Sequence, residues 1–335
     1  MKAAILAPVA WRTPPRHYGP WEQVASNIAE GLVKLGVDVS LFATGDSITA
    51  GKLYSICATG YEEDRTQDAK VLECLHISNL MERAGEFDII HNNFDFLPLT
   101  YSGLVKTPVI TTIHGFSSPR IIPVYKKYNA LGHYVSISNA DRSPELNYLS
   151  TVYNGLNVAE FEFNDTPGDY LLYFGRIHHD KGTAEAIAIA QKCKRKLLIA
   201  GLIQDSNYFK EKVEPFLGAD IIYVGNAEPA KRSELLRNAF ALLHPINFNE
   251  PFGMSVAEAM LCGTPVIAFN KGSMPELIKD AKTGFLVDNV HEAVDAVGKV
   301  GNISREDCRT WAESQFSADK MAEDYLKLYK QILAK

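Results

Sequence analysis

Short apolar runs alternate with segments of helical period along almost the whole chain, the pattern of parallel α/β architecture. Residues 2–8 read as a buried strand. Residues 21–34 follow as a helix, with Val24, Ile28, Leu32 and Leu35 on one face and Gly36 as its stop. Residues 37–43 are a second strand, and 88–91, 108–114 and 134–138 are further ones; the runs at 88–91 and 108–114 each end in a histidine. Gly155 and the acidic, Pro- and Gly-containing stretch 160–168 then interrupt the rhythm.

The alternation restarts with 170–174, whose unbroken apolar and aromatic residues suit burial on both faces of a parallel sheet. Helix is predicted over 183–192 and 230–238, and strand over 196–200, 221–224, 241–244 and 265–268. A last helix over 318–333 carries Met321, Tyr325, Leu328 and Ile332 at helical spacing. The expected organisation is therefore two Rossmann-like α/β domains, 1–155 and 156–315, and a C-terminal helix, 316–335. In open parallel sheets ligands bind beyond the carboxyl ends of the strands. Two such sheets facing a central cleft would both offer strand ends to it, and the chemically informative residues do follow strands.

Composition narrows the function. With 335 residues, 46% of them hydrophobic and 22% charged, the chain is globular and long enough for two cores. A net charge of −6 argues against nucleic acid or anionic lipid as a general partner. The local basic runs, Lys192, Lys194, Arg195 and Lys196, and Lys126 and Lys127, read as solvated helix ends. The five cysteines, Cys57, Cys74, Cys193, Cys262 and Cys308, are scattered and form no C-x-x-C pair, which indicates neither a disulfide framework nor a structural zinc site. The N-terminus is too short in apolar residues for a secretory signal, and no stretch reaches the ~20 apolar residues of a membrane span. A cytoplasmic protein is expected, at most peripheral on the inner face of a membrane.

The segment richest in chemistry is 249–260. Pro251 and Gly253 suit the start of a helix, and the alanines and methionine beyond them favour its continuation. Glu250 precedes that helix and Glu258 lies further along it, so the two carboxylates would be separated by about 12 Å along the axis. Paired-carboxylate glycoside hydrolysis needs roughly 5–9.5 Å. The wider spacing suits gripping the two ends of an extended ligand. Between the acids, the backbone N–H groups near Phe252, Gly253 and Met254 would present donors and partial positive charge to a phosphate. A carboxylate for a sugar, amides for a diphosphate and a carboxylate for a ribose diol make a nucleotide-sugar site.

Glu250-Pro251-Phe252-Gly253-x4-Glu258, followed by Ala259-Met260-x-Cys262-Gly263-Thr264-Pro265-Val266, resembles the E-x7-E signature of the retaining glycosyltransferases of family 4, which have the GT-B fold. Phe174-Gly175-Arg176-Ile177-x3-Lys181-Gly182 resembles the family's G-R-x4-K-G element, which implies that Arg176 and Lys181 neutralise the leaving diphosphate, the work magnesium does elsewhere. No metal is expected, and the chain has no D-x-D pair of the metal-dependent kind; His178-His179-Asp180 reads as a solvated loop beside the lysine. Tyr18-Gly19-Pro20-Trp21 resembles the family's first-loop glycine motif, with Pro20 in place of a second glycine, so Gly19 is the candidate contact. Thr111-Thr112-Ile113-His114-Gly115 matches a T-x-H-G element, which implies that His114 approaches the transferred sugar; His91 is open between a supporting and a structural role. Val152-Tyr153-Asn154-Gly155-Leu156-Asn157 resembles the hinge between the domains, with Asn157 replacing an aspartate, and the resemblance implies that the C-terminal helix, 316–335, crosses back to the N-terminal domain. Val224-Gly225-Asn226-Ala227 resembles the loop whose backbone, at Gly225 and Ala227, meets the base.

The resemblance implies transfer of a hexose, with retention of configuration, from a nucleoside-diphosphate sugar such as GDP-mannose, UDP-glucose or UDP-GlcNAc. In that reading Glu250 and His114 are catalytic. Arg176, Lys181, Glu258, Gly19, Gly225, Ala227, Phe252, Gly253 and Met254 hold the donor. The acceptor would be a carbohydrate, a lipid-linked glycan or a small molecule bound by loops of the first domain such as 11–18, 94–97 and 116–128. The rivals are a GT-B-type epimerase or phosphorylase, a non-catalytic nucleotide-sugar-binding protein and an NAD-dependent oxidoreductase. The last needs a G-x-G-x-x-G that the chain lacks.

Overall fold

The computed structural model describes every residue except Tyr18, Ser117, Glu228 and Lys335, and the backbone alone of Pro229 and Ala230. In chain order the elements are β1 (Lys2–Leu6), α1 (Pro20–Lys34), β2 (Asp38–Phe42), β3 (Lys52–Tyr54), α2 (Ala69–Met81), β4 (Ile89–Asn92), β5 (Val109–Ile113), α3 (Ile122–Lys127), β6 (His133–Ser136) and β7 (Tyr148–Thr151). Then come β8 (Leu171–Phe174), α4 (Thr183–Cys193), β9 (Leu197–Ala200), α5 (Ser206–Lys212), β10 (Ile221–Tyr223), α6 (Pro229–Arg237) and β11 (Ala241–His244). The chain closes with α7 (Met254–Leu261), β12 (Val266–Phe269), α8 (Met274–Leu277), β13 (Gly284–Val287), α9 (Val290–Val297), α10 (Arg305–Phe316) and α11 (Ala318–Leu333).

Two compact units result: Met1–Leu156 with Ala318–Lys335, and Asn157–Ser317. The first holds a seven-stranded parallel sheet in the order β3-β2-β1-β4-β5-β6-β7. Strand alternation sends Ala3 and Ile5 to one face and Ala4 and Leu6 to the other, all fully buried. On the first face lie Val24, Ile28 and Leu32 of α1 with Met321, Tyr325, Leu328 and Ile332 of α11. On the other, Ile77, Leu80 and Met81 of α2 cover Leu6, Phe42 and Ile90. Helix α11 follows the second unit in sequence yet is built into the core of the first, where Gly31 of α1 faces Ala322 so closely that an added Cβ would come within 2.5 Å of it.

The second unit holds a six-stranded parallel sheet, β10-β9-β8-β11-β12-β13. Helices α4 and α9 pack together over one face, with Ile187, Ile189, Ala293 and Val297 against Leu171, Ile199, Leu243 and Ile267. Helix α7 meets the sheet at β11 and β12 and α10 packs on α7. In each unit the strand order reverses once, between β1 and β4 in the first and between β8 and β11 in the second. A crevice therefore opens at the carboxyl ends of those pairs.

Several expected boundaries shift. Leu35 caps the end of α1 and is exposed rather than on its buried face. Helix α7 starts at Met254 with Gly253 as its cap, so Pro251 and Phe252 precede the helix instead of opening it. The first helical N–H groups are accordingly those of Met254 and Ser255, and the Val256 N–H is bonded to Gly253 O at 3.0 Å. His114 lies just past the end of β5, and His91 inside β4. Of the Tyr18-Gly19-Pro20-Trp21 motif, Tyr18 lies outside the described residues, as does Ser117 of the loop 116–128.

Candidate functional site

In the second unit the site grows from strand ends. Beyond β8, the Gly175 N–H is bonded to Ala200 O, and the Gly201 N–H to Gly225 O. Gly201 (φ +147°) approaches Gly175 so closely that a Cβ would sit 1.8 Å from its carbonyl oxygen. Glycine is required there, and three successive strand ends are thereby stacked with bare backbone. Gly225 (φ +83°) faces open space, with Ala227 in the same loop. Arg176 donates to Gln204 Oε1.

Lys181 lies one residue before Gly182, whose left-handed backbone caps α4 and fits tightly under Pro245 O. Its Nζ donates to Glu250 Oε2 at 2.6 Å, with both side chains about one-seventh exposed (14% and 13%), and sits 4.4 Å from the centre of the Phe248 ring. His244, the last residue of β11, brings Nε2 to 3.9 Å from the same Glu250 oxygen. Burial, and then the charge of Lys181, pushes that imidazole down to about 3, so it is neutral. The Glu250 backbone is pinned from the opposite side: its oxygen accepts the Ser273 N–H at 3.0 Å, Ser273 Oγ donates to Phe252 O at 2.7 Å, and Gly272 packs against Glu250 N and O. Phe252 is buried edge-on to Phe316, and Gly253 (φ +90°) leads into Met254.

The structure thus brings Arg176, Lys181, Glu250 and the 252–254 backbone to the switch point of one sheet. Glu258 has a cation of its own. Five per cent exposed, it pairs with Arg232 at 3.2 Å; burial raises its carboxyl above the usual range and Arg232 opposes the rise. Among the described residues, one group could offer three ligands to a metal: His178, His179 and Asp205, whose ligand atoms lie within 4.8 Å of one another. His178 Nδ1 is already 2.6 Å from Asp180. His244, Phe248, Arg232 and the Gly272-Ser273 clamp were not anticipated from sequence. His244 had a readable signal, a histidine closing a predicted strand; Arg232 on α6 had none.

In the first unit, His114 Nε2 lies 3.1 Å from Asn93 Oδ1 and its ring stacks on Trp21 (centroids 5.7 Å apart). Its Nδ1 is buried without a partner among the described residues, and burial pushes the imidazole down to about 3. Gly19 (φ +150°) caps α1, and Pro20 opens that helix at a position where no N–H is needed. His91 proves structural: fully buried, it bonds Tyr329 Oη and Thr112 Oγ1, both at 2.7 Å, and Thr112 bonds Tyr325. A cavity of about 470 Å³ opens beside Gly19 at the β1–β4 switch point.

Comparison with known proteins gives these arrangements a context. Residues 159–315 match the family model described as glycosyl transferases group 1. An uncharacterised glycosyltransferase of Methanocaldococcus jannaschii is 22% identical over 97% of each chain. Sucrose-phosphate synthase from Thermosynechococcus elongatus is similar in structure with a TM-score of 0.80 at 18% identity, over 100% of this chain and 99% of that one. HepE of Anabaena, solved with UDP-glucose, is similar with a TM-score of 0.75 at 17% identity, over 99% of this chain and 100% of its own. The fold is GT-B, and these findings support a glycosyltransferase.

Proposed function

We propose that this chain, a glycosyltransferase of the GT-B fold, moves a hexose from a nucleoside-diphosphate sugar to an acceptor hydroxyl with retention of configuration and without a metal. The Lys181–Glu250 pair carries the reading. A cation and a carboxylate share one oxygen-to-nitrogen contact at the switch point of a parallel sheet, with Arg176 and bare glycine backbone on the neighbouring strand end. A diphosphate drawn to Lys181 and Arg176 would loosen the lysine's hold on Glu250 and free its carboxylate for the sugar hydroxyls and an oxocarbenium-like centre. Similar solved structures hold UDP and UDP-glucose, which supports the donor class.

In this scheme the departing phosphate helps to take the acceptor proton, Glu250 stabilises the sugar, and His114 approaches the transferred ring as a neutral imidazole. The backbone at 252–254 meets the phosphates, Gly19 approaches the transferred sugar, and Gly225 and Ala227 border the base. Glu258, fixed by Arg232, would accept from the ribose diol. A panel of nucleotide sugars tests it: the true donor raises the melting temperature by mass action, whereas UDP, GDP and ADP sugars all leaving it unchanged would end the reading. Product from the best donor should keep the donor's anomeric configuration by NMR, and EDTA should leave the rate intact.

A further inference from the structure

The cavity of about 470 Å³ in the first unit has a composition that selects its occupant. Its walls carry two kinds of side chain. Aromatic rings come from Trp11, Trp21, Tyr61, Phe94 and Phe96, and carboxylates from Glu22, Glu73 and Asp95; among the described residues no lysine or arginine lines it. Among the described residues, none of the three acids is paired with a cation. Glu73 accepts from Tyr61 Oη at 3.1 Å and Asp95 from Tyr125 Oη at 2.5 Å. Glu22, only 3% exposed, takes the Trp11 N–H on Oε1 at 3.2 Å, and among the described residues no side chain pairs with its carboxylate. Arg16 is paired with Glu63 and Asp46.

Two of the acids also act on one another, and Glu22 feels Glu63. Burial raises all of them above the usual carboxylate range, Glu73 raises Asp95 further, and Glu22 and Glu73 both raise the Tyr61 phenol. Asp95 is held at φ +100°, a strained backbone for a residue other than glycine, with its carbonyl tied to Asn92 Nδ2 at 2.8 Å. Glu22 is buried and Glu73 and Asp95 are half-buried; carboxylates so placed without a cation are costly to an empty protein and favourable to a ligand that supplies positive charge. Flat rings match the apolar face of a pyranose, and carboxylates accept from its hydroxyls.

We propose that this cavity is the acceptor subsite and takes a polyhydroxylated ring bearing an amino group, while excluding phosphorylated rings. The proposal rests on the transferase reading for the word acceptor; the ligand class rests on the cavity alone. A matched series separates the two on the full chain at pH 8: methyl glucoside, its 6-amino-6-deoxy analogue, and glucose 6-phosphate, each titrated by NMR, with UDP titrated in the same samples. The amino sugar should bind about tenfold tighter than the neutral one, the advantage of a hydrogen bond to a charged partner, and the phosphate should not bind. Glu22→Gln should bring the amine's advantage close to nothing while the neutral sugar still binds; Glu73→Gln provides the same comparison if the first variant does not fold. Equal binding of amine and neutral sugar, binding of the phosphate, binding of none, or an amine preference untouched by both substitutions would each overturn the proposal. UDP binding with the wrong sugar order sinks this inference and leaves the transferase reading. The right order without nucleotide binding does the reverse.

Discussion

Glu22 and Glu250 are both carboxylates near a strand end, but their surroundings give them different tasks. Glu250 has a lysine at 2.6 Å, whereas burial pushes Glu22 up to about 7 from an ordinary 4.5, with no cation to oppose it. An acid whose folded value is raised binds more protons folded than unfolded. Its contribution is neutral below pH 4.5 and turns against the folded state as pH rises from 4.5 to 7. Glu22→Gln removes that penalty. It should stabilise the protein by about 3 kcal/mol at pH 8 and by little at pH 4, read as the difference in denaturant midpoints between the two pH values; a pH-independent effect would contradict the assignment. For Glu250→Gln the expectation is retained nucleotide affinity by calorimetry with turnover lowered about 10²–10³-fold, the usual cost of removing one transition-state contact. Unchanged turnover would take Glu250 out of the chemistry.

Among elements, the contact of α1 with α11 is decided by two small residues. Gly31 costs its helix about 1 kcal/mol of propensity relative to alanine, so an isolated α1 would gain from Gly31→Ala. In the fold the new Cβ would meet Ala322 Cβ at 2.5 Å, and the helices would have to separate. Overpacking of this kind costs about 1–3 kcal/mol, so Gly31→Ala should lower the melting temperature. Ala322→Gly should be mildly destabilising alone and should recover part of the loss in the double variant. A cycle with no coupling would show that the helices do not meet there. The same pairing explains why the buried face of α11 reads cleanly from sequence while its partner does not: periodicity marks a face, and nothing in it says which helix will cover it.

At the scale of the molecule, chain order and core membership diverge. Met321, Tyr325, Leu328 and Ile332 complete the first unit's core, and the hydroxyls of Tyr325 and Tyr329 close the buried network at His91 and Thr112. Each large apolar side chain removed from such a core forfeits about 1.5–3 kcal/mol, so losing all four is comparable to the roughly 5–15 kcal/mol that holds a domain together. Truncation after Ser317 should therefore leave the first unit open to limited proteolysis while the second, with a core of its own, persists as a resistant fragment. Resistance of both halves would show that α11 is dispensable.

Most strands and the longer amphipathic helices were legible because parallel strands buried on both faces are unbroken apolar runs; short edge strands such as β3 and β7, half-exposed and mixed in composition, were not. The motif residues Arg176, Lys181, Glu250 and Glu258 could be named because their chemistry depends on residue type at fixed spacing. Whether two of them touch depends on loop paths that spacing does not encode. Only the folded chain paired Lys181 with Glu250 across 69 residues and gave Glu258 to Arg232 instead. The cavity acids show the same limit more sharply: Glu22, Glu73 and Asp95 look like ordinary solvated glutamates and an aspartate in sequence. Burial and, among the described residues, the lack of a lining lysine or arginine give them their character, and both are properties of what surrounds a residue in space. The sequence by itself determined which segments must be buried and which groups can do chemistry, since those follow from periodicity and residue type; tertiary structure decided which groups meet and in what dielectric.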